Sequence, residues 1–141
     1  MATLEAQLSE LSADFAGLSV QNRLDLLLEF SESLPDIPER LIGHPDLLER
    51  VEECQSPVFL LVEIEDGMVT IHFTVPREAP TTRGFASILH SLLNGRSVAE
   101  VLSAGEQIPD SLSLSEAVSP LRLRGMRGML ARIKRQVQQK A

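Results

Sequence analysis

Two adjacent segments in the middle of the chain leave little freedom in what it can fold into. Val69, Ile71, Phe73 and Val75 alternate with Thr70, His72 and Thr74. Successive side chains of a strand point to opposite faces, so this alternation specifies a strand with one face in a core. The preceding run, Val58 to Ile64, is mostly Val, Leu, Phe and Ile, the composition of a strand that is fully or half buried. Between them Glu65-Asp66-Gly67 is a compact turn signal containing Asp-Gly. The two runs predict an antiparallel hairpin.

Helical periodicity surrounds the hairpin. Leu4, Leu8, Leu11 and Phe15 recur at steps of three and four, which predicts a first helix from about Thr3 to Gly17. Ser19 is an N-cap for a second helix whose inward face is Val20, Leu24, Leu27 and Leu28, ended by Pro35 and Pro38. Leu41 to Glu53 reads as a short turn around Gly43 to Pro45 and then an irregular approach to Cys54. Pro76 and Pro80 bracket a loop, after which Phe85, Ile88, Leu89, Leu92 and Leu93 form a stripe stopped at Asn94-Gly95. Ser97 and Glu100 have capping-box spacing. Ser119-Pro120 opens a last helix with apolar positions Leu121, Met126, Met129, Leu130, Ile133 and Val137. Gly125 and Gly128 inside it each cost roughly 1 kcal/mol relative to Ala, which predicts close packing of another backbone on that face. The fold class is α+β: a small antiparallel sheet, the hairpin with one further strand, packed against helices.

Charge is distributed unevenly. Residues 1–66 hold fifteen acidic and three basic residues, whereas residues 120–141 hold seven basic and no acidic ones. Such a basic tail suits either a nucleic-acid arm or a helix whose cations face acidic neighbours and the negative end of its own dipole. The net charge of -7 would repel phosphate, and five Phe with no Tyr or Trp make a poor base-stacking platform, so no nucleic-acid partner is expected. No apolar run approaches the roughly 18 residues of a membrane span, and the N-terminus lacks a basic-then-apolar segment. No membrane partner and a cytoplasmic address are expected.

Cys54 is the one cysteine, so it forms no internal disulfide and no multi-thiolate metal site. It is either a packed core thiol or a reactive one. It stands in Val51-Glu52-Glu53-Cys54-Gln55-Ser56-Pro57, a loop position suited to reaction with a partner. Glu52 and Glu53 would disfavour a thiolate if they lie close in space. His44, His72 and His90 are too scattered for zinc-ligand spacing, and no cofactor or bound metal is expected. A dyad of Cys54 with His72 or His90 has no assignable orienting residue or oxyanion donor.

The segment from Val51 to Val58 resembles the SufE pattern V-x-G-C-Q-S-x-V, followed by an aromatic residue, here Phe59, and a strand. Leu34-Pro35-Asp36-Ile37-Pro38 is similar to that family's proline break after the second helix, and Arg83-Gly84 to its arginine-glycine pair. Ser119-Pro120-Leu121-Arg122, continuing to Gly125-Met126 and Met129, is similar to its S-P-x-R-x-x-G-L/M segment. Order and spacing agree over roughly residues 20–135. The resemblance implies one SufE-like domain over residues 1–141, with a fold like that of SufE and IscU. It implies an accessory protein that activates a cysteine desulfurase and is not itself an enzyme. A SufS-like, pyridoxal-phosphate cysteine desulfurase forms a persulfide, Cys54 accepts its sulfane sulfur, and an iron–sulfur scaffold complex receives it; a homodimer is left open. In the family the cysteine is sheltered in an apolar cavity until the partner draws it out. Gln55 and Ser56 carry over as its loop, and Arg83 and Arg122 as conformational or docking groups.

The chain departs from the pattern at Glu53, where the family has glycine, which removes a hinge and adds a charge beside the sulfur. Arg77-Glu78-Ala79 stands where Ser-Asp-Ala is usual. The reading from another class is a noncatalytic interaction domain in which Cys54 is simply packed.

Overall fold

The structure, a computed structural model, describes residues 2–141. Two N-terminal helices, α1 (Leu4–Ala16) and α2 (Val20–Glu32), precede strands β1 (Glu49–Arg50), β2 (Phe59–Glu65) and β3 (Met68–Thr74). Helices α3 (Pro80–Leu93), α4 (Val98–Leu102) and α5 (Pro120–Lys140) follow. The strands form one antiparallel sheet in the order β1-β2-β3.

The hairpin is as its alternation predicts. Asp66 and Gly67 both have positive φ, 52° and 77°, the two-residue turn that matches the twist of paired strands. That turn sets Glu65 opposite Met68, and the register carries Leu60 opposite Phe73 and Val62 opposite Ile71. These last four residues are buried on the inner face. Leu61, Glu63, Thr70 and His72 belong to the outer face, where Glu63 accepts both forks of Arg40 and lies 2.8 Å from His72 Nε2. Arg40 is the first cause of a Glu63 carboxyl held down at about 2.

Helix starts follow their side-chain oxygens. Thr3, Ser19, Ser97 and Ser119 each accept a hydrogen bond from the amide three residues on. The reciprocal half of the box at Ser97 is used elsewhere: the Glu100 carboxylate accepts from Leu4 N at 2.9 Å and from buried Arg96 at 3.1 Å, tying α1 to α4. Helix α3 begins at Pro80, earlier than its apolar stripe suggests, because proline at the first helical position forfeits no helix hydrogen bond. Its Gly84 lets α2 approach so closely that a Cβ there would lie 2.5 Å from the Leu27 carbonyl oxygen.

Several readings need correction. Val20 is 43% exposed and Leu28 lies outside the core, because the buried stripe of α2 runs through Leu24, Leu27 and Ser31 with Leu26 and Phe30 beside it. Leu121 is 47% exposed, two residues before Leu123, the first buried residue of α5. Residues 41–53 are more ordered than an irregular approach: 3-10 turns at Glu39–Leu41 and Pro45–Leu47 lead into β1. That strand is the third one expected, pairing Glu49 with Leu60 and Arg50 with Phe59.

The basic final helix faces acidic neighbours. Arg127 pairs with Asp110, Arg132 with Glu49 and Glu53, and Arg135 with Glu49, while Lys134 and Lys140 donate to the carbonyls of Ala104 and Val62. Most of the charge that could have suited a nucleic-acid arm is thus committed to intramolecular contacts.

Candidate functional site

Cys54 lies in a short loop that the sheet closes. Val51 N donates to Val58 O at 2.9 Å, extending the β1–β2 ladder by one rung, and Cys54 N donates back to Val51 O at 3.1 Å in a turn. The chain therefore leaves the ladder at Val51 and re-enters it at Val58. Cys54 points inward and retains 8% exposure, while Gln55 is exposed and Ser56 half-buried.

The thiol faces α5. A Cβ built on Gly125 would lie 2.9 Å from Cys54 Sγ, and one on Gly128 would lie 2.7 Å from Glu53 Cδ. The two helix glycines therefore admit two side chains of the loop, not the backbone of another element as their cost predicts. Beside the sulfur is a cavity of about 290 Å³. Its walls are the loop itself, Glu78 to Thr82 at the start of α3, and Leu121, Arg122 and Gly125 at the start of α5.

Electrostatics keep the sulfur protonated at rest. Burial is the largest influence and the Glu53 carboxylate the second, and together they push the Cys54 thiol up to about 11 against the opposing pull of Arg132 and Arg50. Since the thiolate is the nucleophile, the seated thiol is poorly reactive near neutral pH. Glu53 itself is held below the usual carboxylate range, first by Arg132. Arg132 Nη1 lies 2.7 Å from Glu53 Oε1, yet the guanidinium is turned toward carbonyls, donating from Nε to Arg50 O and from Nη1 to Gly128 O, each at 3.2 Å. Oε1 is buried and has no aligned donor, so the contact is a close ion pair.

Of the residues singled out from sequence, Glu53, Cys54, Gln55, Ser56 and Arg122 border one cavity. Arg122 is exposed at its rim. Arg83 is not among them: it donates to Ser31 O at 3.3 Å and Val75 O at 2.7 Å, clamping the end of α2 to the chain leaving β3. Glu78 and Ala79, from the loosely kept tripeptide, do reach the cavity. Sequence reasoning missed Arg132. Its charge was visible, but nothing local marks a partner so far away in the chain. Among the described residues no group of three His, Cys, Asp or Glu side chains could hold a metal ion, and no helix is long and apolar enough to cross a membrane.

Comparison with known proteins places the chain in a family. The family model for SufE, described as an Fe-S metabolism associated domain, matches residues 9–137. Uncharacterized SufE-like proteins of two Mycobacterium tuberculosis strains are 48% identical over 139 residues, covering 98% of this chain and 96% of theirs. One from Rhizobium meliloti is 28% identical over 133 residues, covering 90% of this chain and 91% of its own. The solution structure of a hypothetical protein from Thermus thermophilus superposes with a TM-score of 0.79 at 36% identity, covering 97% of this chain and 94% of that one.

Proposed function

Because the chain belongs to the SufE family, whose domain is associated with Fe-S metabolism, we propose that Cys54 is a sulfur acceptor for a SufS-like cysteine desulfurase. In this reading residues 1–141 work as one sulfur-transfer domain that activates the desulfurase by removing its product. The observation that carries it is the placement of the one cysteine, in a loop between two rungs of the sheet and beside a cavity with room for more than the thiol.

The chemistry is thiol exchange on a sulfur–sulfur bond. The Cys54 thiolate attacks the outer sulfur of the donor persulfide. A new S–S bond forms on Cys54 as the donor's own S–S bond breaks, and the donor cysteine leaves as a thiolate that takes up the proton Cys54 gave. No net oxidation occurs. A second exchange hands the sulfur to an iron–sulfur scaffold complex. The raised thiol pKa fits an acceptor that is idle until the partner changes its surroundings, and burial of the sulfur between transfers would limit irreversible oxidation. Gln55 and Ser56 shape the loop, Arg122 and Leu121 at the rim offer docking contacts, and Arg83 supports the scaffold.

Near-complete burial of Cys54 favours a second reading, a noncatalytic interaction domain with a packed thiol. Incubation with the desulfurase and cysteine, followed by intact mass, separates the two. The acceptor gains one sulfur atom, and Cys54→Ser gains none and stops stimulating turnover. Full stimulation by the serine variant would refute the carrier role.

A further inference from the structure

We propose that the Glu53–Arg132 ion pair, seated over the notch at Gly128, is a latch that holds the Cys54 loop closed, which makes Arg132 a positioning residue for the reactive sulfur. The proposal deepens the acceptor reading and rests on it for what the loop is used for, but the seating itself is a property of this chain alone.

Three observations converge. First, consecutive loop residues occupy consecutive notches on one face of α5: the Cys54 sulfur fills the space a side chain at 125 would take, and the Glu53 carboxylate that at 128. Positions three apart on a helix are neighbours, so the two fits act together. Second, the cation is fixed before the loop arrives. Arg132 is bonded to carbonyls of both α5 and β1 and is only 17% exposed, so it meets Glu53 without being ordered by it. Third, the pair is held by charge more than by bonding, since Glu53 Oε1 is buried without an aligned donor. A carboxylate oxygen in that state recovers water when it leaves, which offsets part of the lost attraction. The closed loop is therefore held firmly enough to shelter the sulfur and loosely enough to be released by a partner that competes for either charge.

The test uses the full chain and iodoacetamide, a neutral reagent whose encounter with Cys54 is indifferent to local charge, with intact mass as the readout. Opening the latch should expose the sulfur, so Glu53→Gln and Arg132→Gln should each speed alkylation by about two- to five-fold, the span set by a partly exposed pair. A purely electrostatic effect on the thiol predicts opposite signs, because the Arg132 charge favours the thiolate and its removal should slow the reaction. Slower or unchanged alkylation of Arg132→Gln overturns the latch. If Arg132→Gln does not fold, Glu53→Gln decides the matter: its Cys54 N–H, bonded to Val51 O, should exchange with solvent faster than in the wild type, and an unchanged exchange rate overturns the proposal. No sulfur donor takes part in these measurements. A chain that accepts no sulfur would thus refute the acceptor reading while leaving the latch measured.

Discussion

Gly125→Ala probes the seating of the sulfur directly. Replacing glycine by alanine inside a helix is worth about 0.8–1.0 kcal/mol in favour of alanine. Here the new Cβ would lie 2.9 Å from Cys54 Sγ, well inside the ~3.5–4.0 Å of a favourable contact. Overpacking of this kind costs about 1–3 kcal/mol. The single variant should therefore be destabilised by roughly 0–2 kcal/mol, the difference of these two effects. Cys54→Ala removes the sulfur, while the remaining Cys54 Cα and Cβ are at ordinary distances of 3.8 and 3.9 Å. In that background Gly125→Ala should become stabilising by about 1 kcal/mol, the intrinsic preference alone. Urea unfolding of the four proteins closes a double-mutant cycle with a coupling of about 1–3 kcal/mol between the two sites. If Gly125→Ala stabilises both backgrounds equally, the sulfur does not rest against α5 and the account of the seated loop fails.

Three further outcomes are expected, two from the sheltered thiol and one from the approach of α2 to α3. With the thiol held up at about 11, alkylation of Cys54 should climb roughly tenfold per pH unit through pH 10, whereas an exposed thiol would level off near its usual ~8.5; a plateau by pH 9 would show the sulfur is not sheltered. The same shift makes the protonated thiol a stabilising feature below about 8.5, lost as pH rises toward the folded value, so alkaline solutions should weaken the wild type more than Cys54→Ala. Gly84→Ala differs from Gly125→Ala because the obstructing atom, Leu27 O at 2.5 Å, is backbone and cannot swing away. It should lose about 1–3 kcal/mol and lower Tm by roughly 3–8 °C in a thermal scan; an unchanged Tm would refute the tight α2–α3 approach.

Periodicity made the hairpin legible because strand alternation and an Asp-Gly turn are strictly local signals. The capping serines at 19, 97 and 119 were equally local, and their hydrogen bonds span three residues. Errors arose where a helix has apolar residues on more than one face. Val20, Leu28 and Leu121 satisfy the spacing rule, but which stripe is buried is decided by neighbours distant in sequence. The two interior glycines of α5 were a correct sign of close approach, yet glycine reports only that something is near, not that it is a thiol and a carboxylate. Adjacency allowed the effect of Glu53 on the sulfur to be anticipated, whereas its pairing with Arg132 could not be, since that pairing exists only once α5 lies along β1 and β2. Arg83 and Arg122 read alike in sequence and differ in space: one is committed to two carbonyls, the other stands exposed beside the cavity.

The rung from Val51 to Val58 also acts as a leash. Three Cα–Cα steps lead from Val51 to Cys54, and a fully extended segment of that length spans about 10 Å. So long as the rung holds, that distance caps the travel of the Cys54 Cα from the sheet edge, and the sulfur reaches one short side chain beyond it, whatever opens the loop. Under the proposed acceptor role, a sulfur donor would have to bring its reactive atom to within that reach of the sheet edge.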